Sequence, residues 1–396
     1  MPVDLETFEW LLTDSGQELL RIATEAFLDH EGDPVRAASA VRRTESDAER
    51  AAAALTQVSL RVRAVPKFGA DAVHMYFTPD ALEQATRTRV ADHRAGRLAA
   101  FAPESVIDLG CSIGGDLIAF ARAGLTAAGV DLDPVRAAMA RANLAALGLP
   151  GATMVADATQ VDLAPFGVAY ADPARRSARG RSFDVDDWTP PWSFVTDLMR
   201  RDSAVKVAPG IPHDLIPEGV EAEWVSDASS LKEAVLWSGS LATTPRRATV
   251  IGDGGLASLT SEDDPYVGQP RPVTQVGEFL YEPDDAVIRA GLVTAVAAGV
   301  GGGLVDEHIA WVTAQQPFRS PFARGYRVLD EVPFREKGLK ATLRERGIGV
   351  LTIKTRGVDV VPEHLRKRLQ LKGDASATVV MTRVAGRGRA FLVEPI

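Results

Sequence analysis

The chain has one cysteine, Cys111, among its 396 residues. An intramolecular disulfide and a cysteine-rich zinc site are thereby excluded, and a cytosolic setting is the expectation. Its histidines (His30, His74, His93, His213, His308 and His364) fall at no pairwise metal-ligand spacing, so no metal is expected. No Gly-x-x-x-x-Gly-Lys-Ser/Thr loop occurs, which argues against phosphoryl transfer. Long apolar runs are also missing. The stretch 290–305 is uncharged but too short and too glycine-rich to span a membrane. The opening Met1-Pro2-Val3-Asp4-Leu5-Glu6 is acidic and lacks an apolar core, which argues against a secretory signal. What remains is a chain of 46% hydrophobic and 24% charged residues, expected to be soluble and to hold two or three domains.

Against these absences, residues 108–116 stand out: Asp108-Leu109-Gly110-Cys111-Ser112-Ile113-Gly114-Gly115-Asp116. The run follows Val106-Ile107 and precedes Leu117-Ile118-Ala119-Phe120, which reads as strand, glycine turn and helix. A second strand ends in Asp131, placed to take both ribose hydroxyls of a nucleotide-like ligand. The glycine spacing is not the Gly-x-Gly-x-x-Gly of dinucleotide sites. Asp108 and Asp116 would repel a pyrophosphate, whereas the sulfonium and ammonium of S-adenosylmethionine (SAM) favour nearby carboxylates. The acids therefore point to SAM rather than to NAD. Asp157, after a third strand, is placed for the adenine amino group, or alternatively as a turn or helix cap.

A fourth strand ends in Tyr170-Ala171-Asp172-Pro173-Ala174-Arg175-Arg176. Ligands of open α/β sheets bind beyond the carboxyl ends of the strands, so this loop is expected beside the methyl donor. Pro173 stiffens it, and Asp172 can orient or deprotonate an acceptor. Arg175 and Arg176 can grip a phosphate or carboxylate; the alternative is an Asx-Pro turn with two solvated arginines. Cys111 lies in the cofactor loop, so no cysteine is available for a covalent mechanism at the acceptor.

Strand–helix alternation from about residue 104, with strands at 105–109, 126–130, 152–156, 167–171 and 203–207, predicts a parallel sheet with helices on both faces. Residues 1–98 predict a helical domain, with Asp33-Pro34 as a helix start, one or two helices over 38–60 and a break over Pro66-Lys67-Phe68-Gly69. The SAM-binding core is expected over 99–255. Residues 252–275 read as linker or loop, and 256–319 as a linker or extension expected to pack on the core. A small α+β domain fills 320–396, in the order β-α-β-α-β-β. It holds 16 Lys+Arg against 8 Asp+Glu, a local net of +8 that leaves −17 of the total −9 for the rest. Such a block suggests a nucleic-acid footprint, or alternatively a solvated surface.

The pattern Asp108-x-Gly110-x-x-x-Gly114, Asp131, Asp157 and Asp172-Pro173 resembles that of class I SAM-dependent methyltransferases. Further stretches widen the match: Leu82-Glu83-Gln84-Ala85, 172–176, 205–210, Leu231-Lys232-Glu233-Ala234, Tyr281-Glu282-Pro283 and 356–360. With them the chain resembles the bacterial methyltransferases that carry a C-terminal THUMP-like domain. The resemblance implies a Rossmann-like α/β core, SAM as donor and an RNA-binding-like appendage. Carried over by position, Asp108, Gly110 and Gly114 would line the methionine end, with Cys111 between them. Asp131 and Leu132 would hold the ribose side, Asp157 and Ala158 the adenine, and Asp172, Pro173 and Arg175 would face the acceptor. Ala174 and Arg175 stand where amine methyltransferases carry a second proline and an aromatic, so nothing there stacks on a flipped base. Tyr76 and Phe77 are candidates for a stacking face, or alternatively core residues. Arg176, Lys206, Arg356 and Arg366 are further candidates for contact with RNA. The expectation is a SAM-dependent methyltransferase acting on RNA. The alternatives are a small-molecule or protein methyltransferase, and a non-catalytic SAM- or RNA-binding protein.

Overall fold

The computed structural model describes residues 3–175, 188–267, 269 and 272–396. The chain divides into two compact units, Met1–Val220 with Val235–Ala242, and Glu221–Ala234 with Thr243–Ile396.

The first unit opens with helices α1 (Leu5–Leu11), α2 (Asp14–Asp29), α3 (Pro34–Thr44) and α4 (Ala48–Phe68). Asp33 caps α3 by accepting from Val35 N and Arg36 N, with Pro34 in the first turn. The break expected over Pro66-Lys67-Phe68-Gly69 falls at its far end, because α4 continues through Pro66 to Phe68. Pro66 lies in the last turn, where its missing N–H frees a carbonyl at Val62, an exposed position open to water. Gly69, at φ +59°, then ends the helix. Helices α5 (Pro79–Gln84) and α6 (Thr88–Ala100) lead into the sheet.

The sheet elements follow as β1 (Val106–Leu109), α7 (Gly115–Arg122), β2 (Ala127–Asp131), α8 (Pro134–Ala146), β3 (Ala152–Val155) and β4 (Val168–Ala171). A short pair, β5 (Ala174–Arg175) and β6 (Trp188–Thr189), precedes α9 (Trp192–Leu198) and β7 (Ser203–Val207). After β8 (Glu221–Asp227), the later half of β9 (Ser230–Ser238) returns to this unit. The strand order within it is β9-β7-β4-β1-β2-β3. Strand β1 runs parallel to both β2 and β4, and β4 runs parallel to β7. The order reverses between β1 and β4, and that switch point opens a crevice at the carboxyl ends of the strands. All four residues of β1 and of β4 are buried, as expected of a central parallel strand.

In the second unit β8 runs parallel to β10 (Arg246–Gly252), which pairs antiparallel with β11 (Gly255–Thr260). Residues 255–260 are therefore a strand rather than part of a linker. The β10–β11 register joins Gly252 to Gly255 across the two-residue turn Asp253-Gly254, a strong hairpin signal hidden inside a polar, glycine-rich stretch. Next come β12 (Phe279–Pro283), α10 (Asp285–Ala290), α11 (Val293–Gly299), β13 (Gly303–Asp306), β14 (Ile309–Ala314) and β15 (Ala323–Val332). The chain ends with α12 (Glu336–Glu345), β16 (Ile348–Arg356), α13 (Pro362–Leu369), β17 (Ala375–Val384) and β18 (Arg387–Pro395).

These strands form one seven-stranded sheet in the order β13-β14-β12-β15-β18-β17-β16. The stretch 279–314, expected as an extension of the core, thus contributes three strands to the same sheet as the C-terminal residues. Leu339 and Leu343 of α12 and Leu365 and Leu369 of α13 pack with Leu351, Val379 and Met381. Val380, one residue from Val379, belongs to a separate core cluster with Trp311, Tyr326 and Phe391, as strand alternation requires. Among the described residues no helix is long and apolar enough to cross a membrane.

Candidate active site

The turn after β1 is built from backbone. Gly110 N and Cys111 N both donate to Val130 O, at 2.8 and 2.9 Å, and Gly114 N donates to Cys111 O at 2.8 Å. Gly114 sits at φ +83°, and an added Cβ would come within 3.2 Å of Ala140 Cβ on α8. It therefore supports the turn from behind and does not line the cavity. Gly110, at φ +98°, does line it. Cys111 packs against Gly129, where a Cβ would stand 2.9 Å from its sulfur. Burial, with the nearby Asp108 and Asp131 charges, pushes this thiol up and out of the reactive range.

In front of the turn lies a cavity of about 250 Å³. Its walls include Asp108, Gly110, Cys111, Asp131, Leu132, Asp157, Ala158 and Asp172, together with Ala81 and residues 84–86 from the helical segment. The structure thus gathers the cofactor-side candidates at one crevice, apart from Gly114. Asp131 is buried and fixed at both oxygens, with Ser112 N donating to Oδ2 and Asp133 N to Oδ1, each at 2.9 Å. Asp157 is exposed and takes the turn-cap alternative. Its Oδ1 accepts from Thr159 N and Thr159 Oγ1, capping the turn Ala158–Gln160, while the residue borders the cavity. Those hydrogen bonds hold its carboxyl below the usual range.

The two acids expected to attract a cation separate. Asp116 is ion-paired with buried Arg94 and accepts from Tyr170 Oη at 3.2 Å, and the Arg94 guanidinium lies 4.9 Å from the centroid of the Tyr170 ring. Its charge is already paired inside the protein, although the residue also borders the cavity. Asp108 is different: it is buried, and its Oδ1 has no hydrogen-bond partner. Burial first, then the charges of Asp116, Asp172 and Asp131, push its carboxyl well above the usual range, with Arg94 opposing. An orphaned carboxylate oxygen on a cavity wall is what a cationic ligand would complete, and SAM fits that requirement. Among the described residues no cluster of His, Cys, Asp or Glu suits a metal ion.

Arg94 was not foreseen in the sequence. The signal is a charged residue inside the buried helical stripe Val90, Ala91, Ala95 and Leu98 of α6. Such a residue demands a buried partner.

After β4, Lys206 Nζ donates to Asp172 Oδ2 at 2.5 Å and to Thr86 Oγ1 at 3.0 Å. Lys206, expected to meet substrate, pairs with Asp172, the carboxylate expected beside the acceptor. Pro173 is buried behind it. Arg175 lies in β5, paired with Trp188 of β6, whereas Arg176 falls outside the described residues. Tyr76 and Phe77 are core residues and offer no stacking face. Asn143 Oδ1 accepts from Tyr76 N at 2.7 Å, Gln17 Nε2 donates to Tyr76 Oη at 2.9 Å, and Phe8 packs edge-on to the ring. Gln57 brackets Phe77 through both its N and its O. Arg356 and Arg366 lie in the second unit, with Asp285 at 3.8 Å and Glu363 at 3.6 Å respectively.

A parallel sheet with a glycine turn at its switch point, and carboxylates after successive strands, defines a class I SAM-dependent methyltransferase. The THUMP domain-like family model matches residues 323–395, and a domain of unknown function matches residues 4–64. An uncharacterised SAM-dependent methyltransferase of Mycobacterium tuberculosis, recorded from two strains, is 38% identical over 319 residues, covering 78% of this chain and 84% of the relative. The crystal structure of a candidate methyltransferase from Porphyromonas gingivalis has the same fold, with a TM-score of 0.74 at 22% identity, over 95% of this chain and 98% of that one. The chain belongs to the class I SAM-dependent methyltransferases with a C-terminal THUMP-like domain, and SAM is its methyl donor.

Proposed function

We propose that the chain is a cytoplasmic methyltransferase whose acceptor is a nucleobase of RNA. The observation that carries the RNA reading is a basic face left uncompensated on α12 and α13. Lys337, Lys340 and Arg344 share one side of α12, and Lys367 and Lys372 follow in and after α13. Among the described residues none of these five has a carboxylate partner. Lys340 Nζ donates to Arg368 O at 2.9 Å and Arg344 Nη2 to Gln370 O at 3.3 Å. Carbonyl partners orient the side chains without cancelling their charge. Such a surface suits a phosphate backbone, and structured RNA is read largely through shape and backbone.

In the donor cavity Asp131 would hold the ribose, Asp157 the adenine and Asp108 the cationic end, with Gly110, Cys111, Leu132 and Ala158 as walls. SAM supplies, when bound, a methyl group on a positively charged sulfur. Asp172, held at Oδ2 by Lys206, keeps Oδ1 for an acceptor N–H, which it orients and whose proton it receives. Pro173 fixes that loop, and Arg175 is assigned to the acceptor's phosphate.

A second reading, a small-molecule or protein methyltransferase with a structural second unit, is favoured by other basic residues. Arg346, Arg368 and Arg389 are spent on Asp330, Glu336 and Glu331 of their own unit. Tritium-labelled SAM incubated with RNA, protein and metabolite fractions separates the readings. Label is expected in RNA, reduced severalfold by Lys340→Glu with Arg344→Glu at unchanged SAM affinity. Label confined to protein or metabolites sinks the RNA reading, and label in no fraction despite SAM binding indicates a non-catalytic protein.

A further inference from the structure

One wall of the donor cavity comes from outside the sheet: Ala81 of α5 and the three residues 84–86. Helix α5 is six residues long, capped at its start by Thr78 Oγ1, which accepts from Ala81 N at 3.1 Å. Ala81 and Leu82 are buried. Beyond them the segment is tied down by polar contacts. Lys67, in the last turn of α4, donates from Nζ to Leu82 O at 2.7 Å, Glu83 O at 2.6 Å and Ala85 O at 2.9 Å. An ammonium has three N–H donors, and all three are used here on carbonyls that a helix end leaves without an intrahelical donor. Arg87 Nη1 adds a tie to Pro66 O at 2.9 Å, and Lys206 reaches Thr86 from the far side.

The geometry points to Lys67 as a latch: a positioning residue that holds residues 82–86 as a lid over the donor cavity, so that SAM enters and leaves when this segment releases. This rests on the reading of that cavity as the SAM site. A lid needs anchors that break locally while the body stays folded. Polar ties from a single ammonium meet that need better than an apolar helix face, which would open only with its core. Lys67 is half-buried and faces two further cations, Arg87 and Lys206. Burial first and those charges next hold its ammonium below its ordinary range, with Glu83 opposing. Without the carbonyl contacts little would keep it in place. Lys206 also joins Thr86 to Asp172, so the lid is tied to the acceptor-side carboxylate as well.

Hydrogen–deuterium exchange on the full-length wild type, with and without saturating SAM, tests this without any substitution. SAM is expected to slow exchange at 82–86 together with the turn at 110–116. In stopped-flow displacement, Lys67→Met is expected to speed SAM dissociation about tenfold, while Lys67→Arg restores most of the slow rate. Arg87→Ala, which spares Lys67, should give a smaller change of the same sign and serves if Lys67→Met does not fold. Protection at 110–116 with none at 82–86, or dissociation unchanged in these variants, overturns the lid and leaves the donor site standing. Protection at neither segment overturns the donor-site assignment and the lid with it.

Discussion

The cavity of the first unit, proposed as the donor site, and the paired helices of the second both depend on charge, but burial gives the charges different weight. Arg94 and Asp116 form a pair whose side chains are 1% and 11% exposed, whereas Arg368 and Glu336, joining α13 to α12 at 2.7 Å, are 57% and 42% exposed. Water can replace either partner of the exposed pair and neither partner of the buried one. The sharpest challenge to this contrast is Arg94→Met. It leaves the Asp116 carboxylate buried with Tyr170 as its remaining hydrogen-bond partner, and is expected to destabilise the fold by about 3–5 kcal/mol in urea or thermal unfolding. The double variant Arg94→Met/Asp116→Leu should recover much of that loss. If the single and double variants lose equally, the pair is not what Arg94 serves.

A smaller effect is expected from Asp131→Ala, since the carboxylate is braced by Ser112 N and Asp133 N but faces the cavity. Titration calorimetry should show SAM affinity falling roughly 100-fold with little change in stability. An unchanged affinity would remove Asp131 from the ribose. The same comparison extends to pH through Asp108. Its carboxyl is raised by burial and by Asp116, Asp172 and Asp131. The ligand-free fold therefore has this contribution in full below the ordinary carboxylate range and loses it as pH rises through the raised value. A cationic ligand prefers the carboxylate, so SAM affinity should rise over that window, by at most about tenfold per pH unit for one proton. Asp108→Asn should flatten the profile, and a slope that survives the substitution assigns the proton elsewhere.

Much of this was legible in the sequence because it is local. Glycine spacing, the acid after each strand and strand–helix alternation all act over a few residues, and they located the parallel sheet and most of the residues gathered at the crevice beyond its strands. What escaped are pairings that act across the fold. Lys206 meets Asp172 and Thr86 over separations of 34 and 120 residues, and Arg94 meets Asp116 across an element boundary. Tyr76 and Phe77 looked available because nothing local showed that Asn143, Gln17 and Gln57 would enclose them. The hairpin at Asp253-Gly254 was legible in principle; the surrounding glycines and acids outweighed a two-residue signal. Strands 279–314 were separated from the C-terminal block by charge, which composition shows and sheet pairing ignores.

The exposed side of the comparison supplies the smallest expected effect. Arg368→Ala removes the Glu336 contact on a surface where each ion is already well hydrated, so it should change stability by less than about 1 kcal/mol in urea unfolding, and less still at high salt. The buried residues Leu339, Leu343, Leu365 and Leu369 carry the packing of these two helices, and the substitution leaves them untouched. Arg368→Ala also frees Glu336 to lower the local positive potential beside Lys337 and Lys340, so any loss of RNA labelling should exceed what the stability change explains. A destabilisation as large as that of Arg94→Met would mean that the helices depend on this ion pair as the cavity depends on its own, and the contrast drawn from burial would fail.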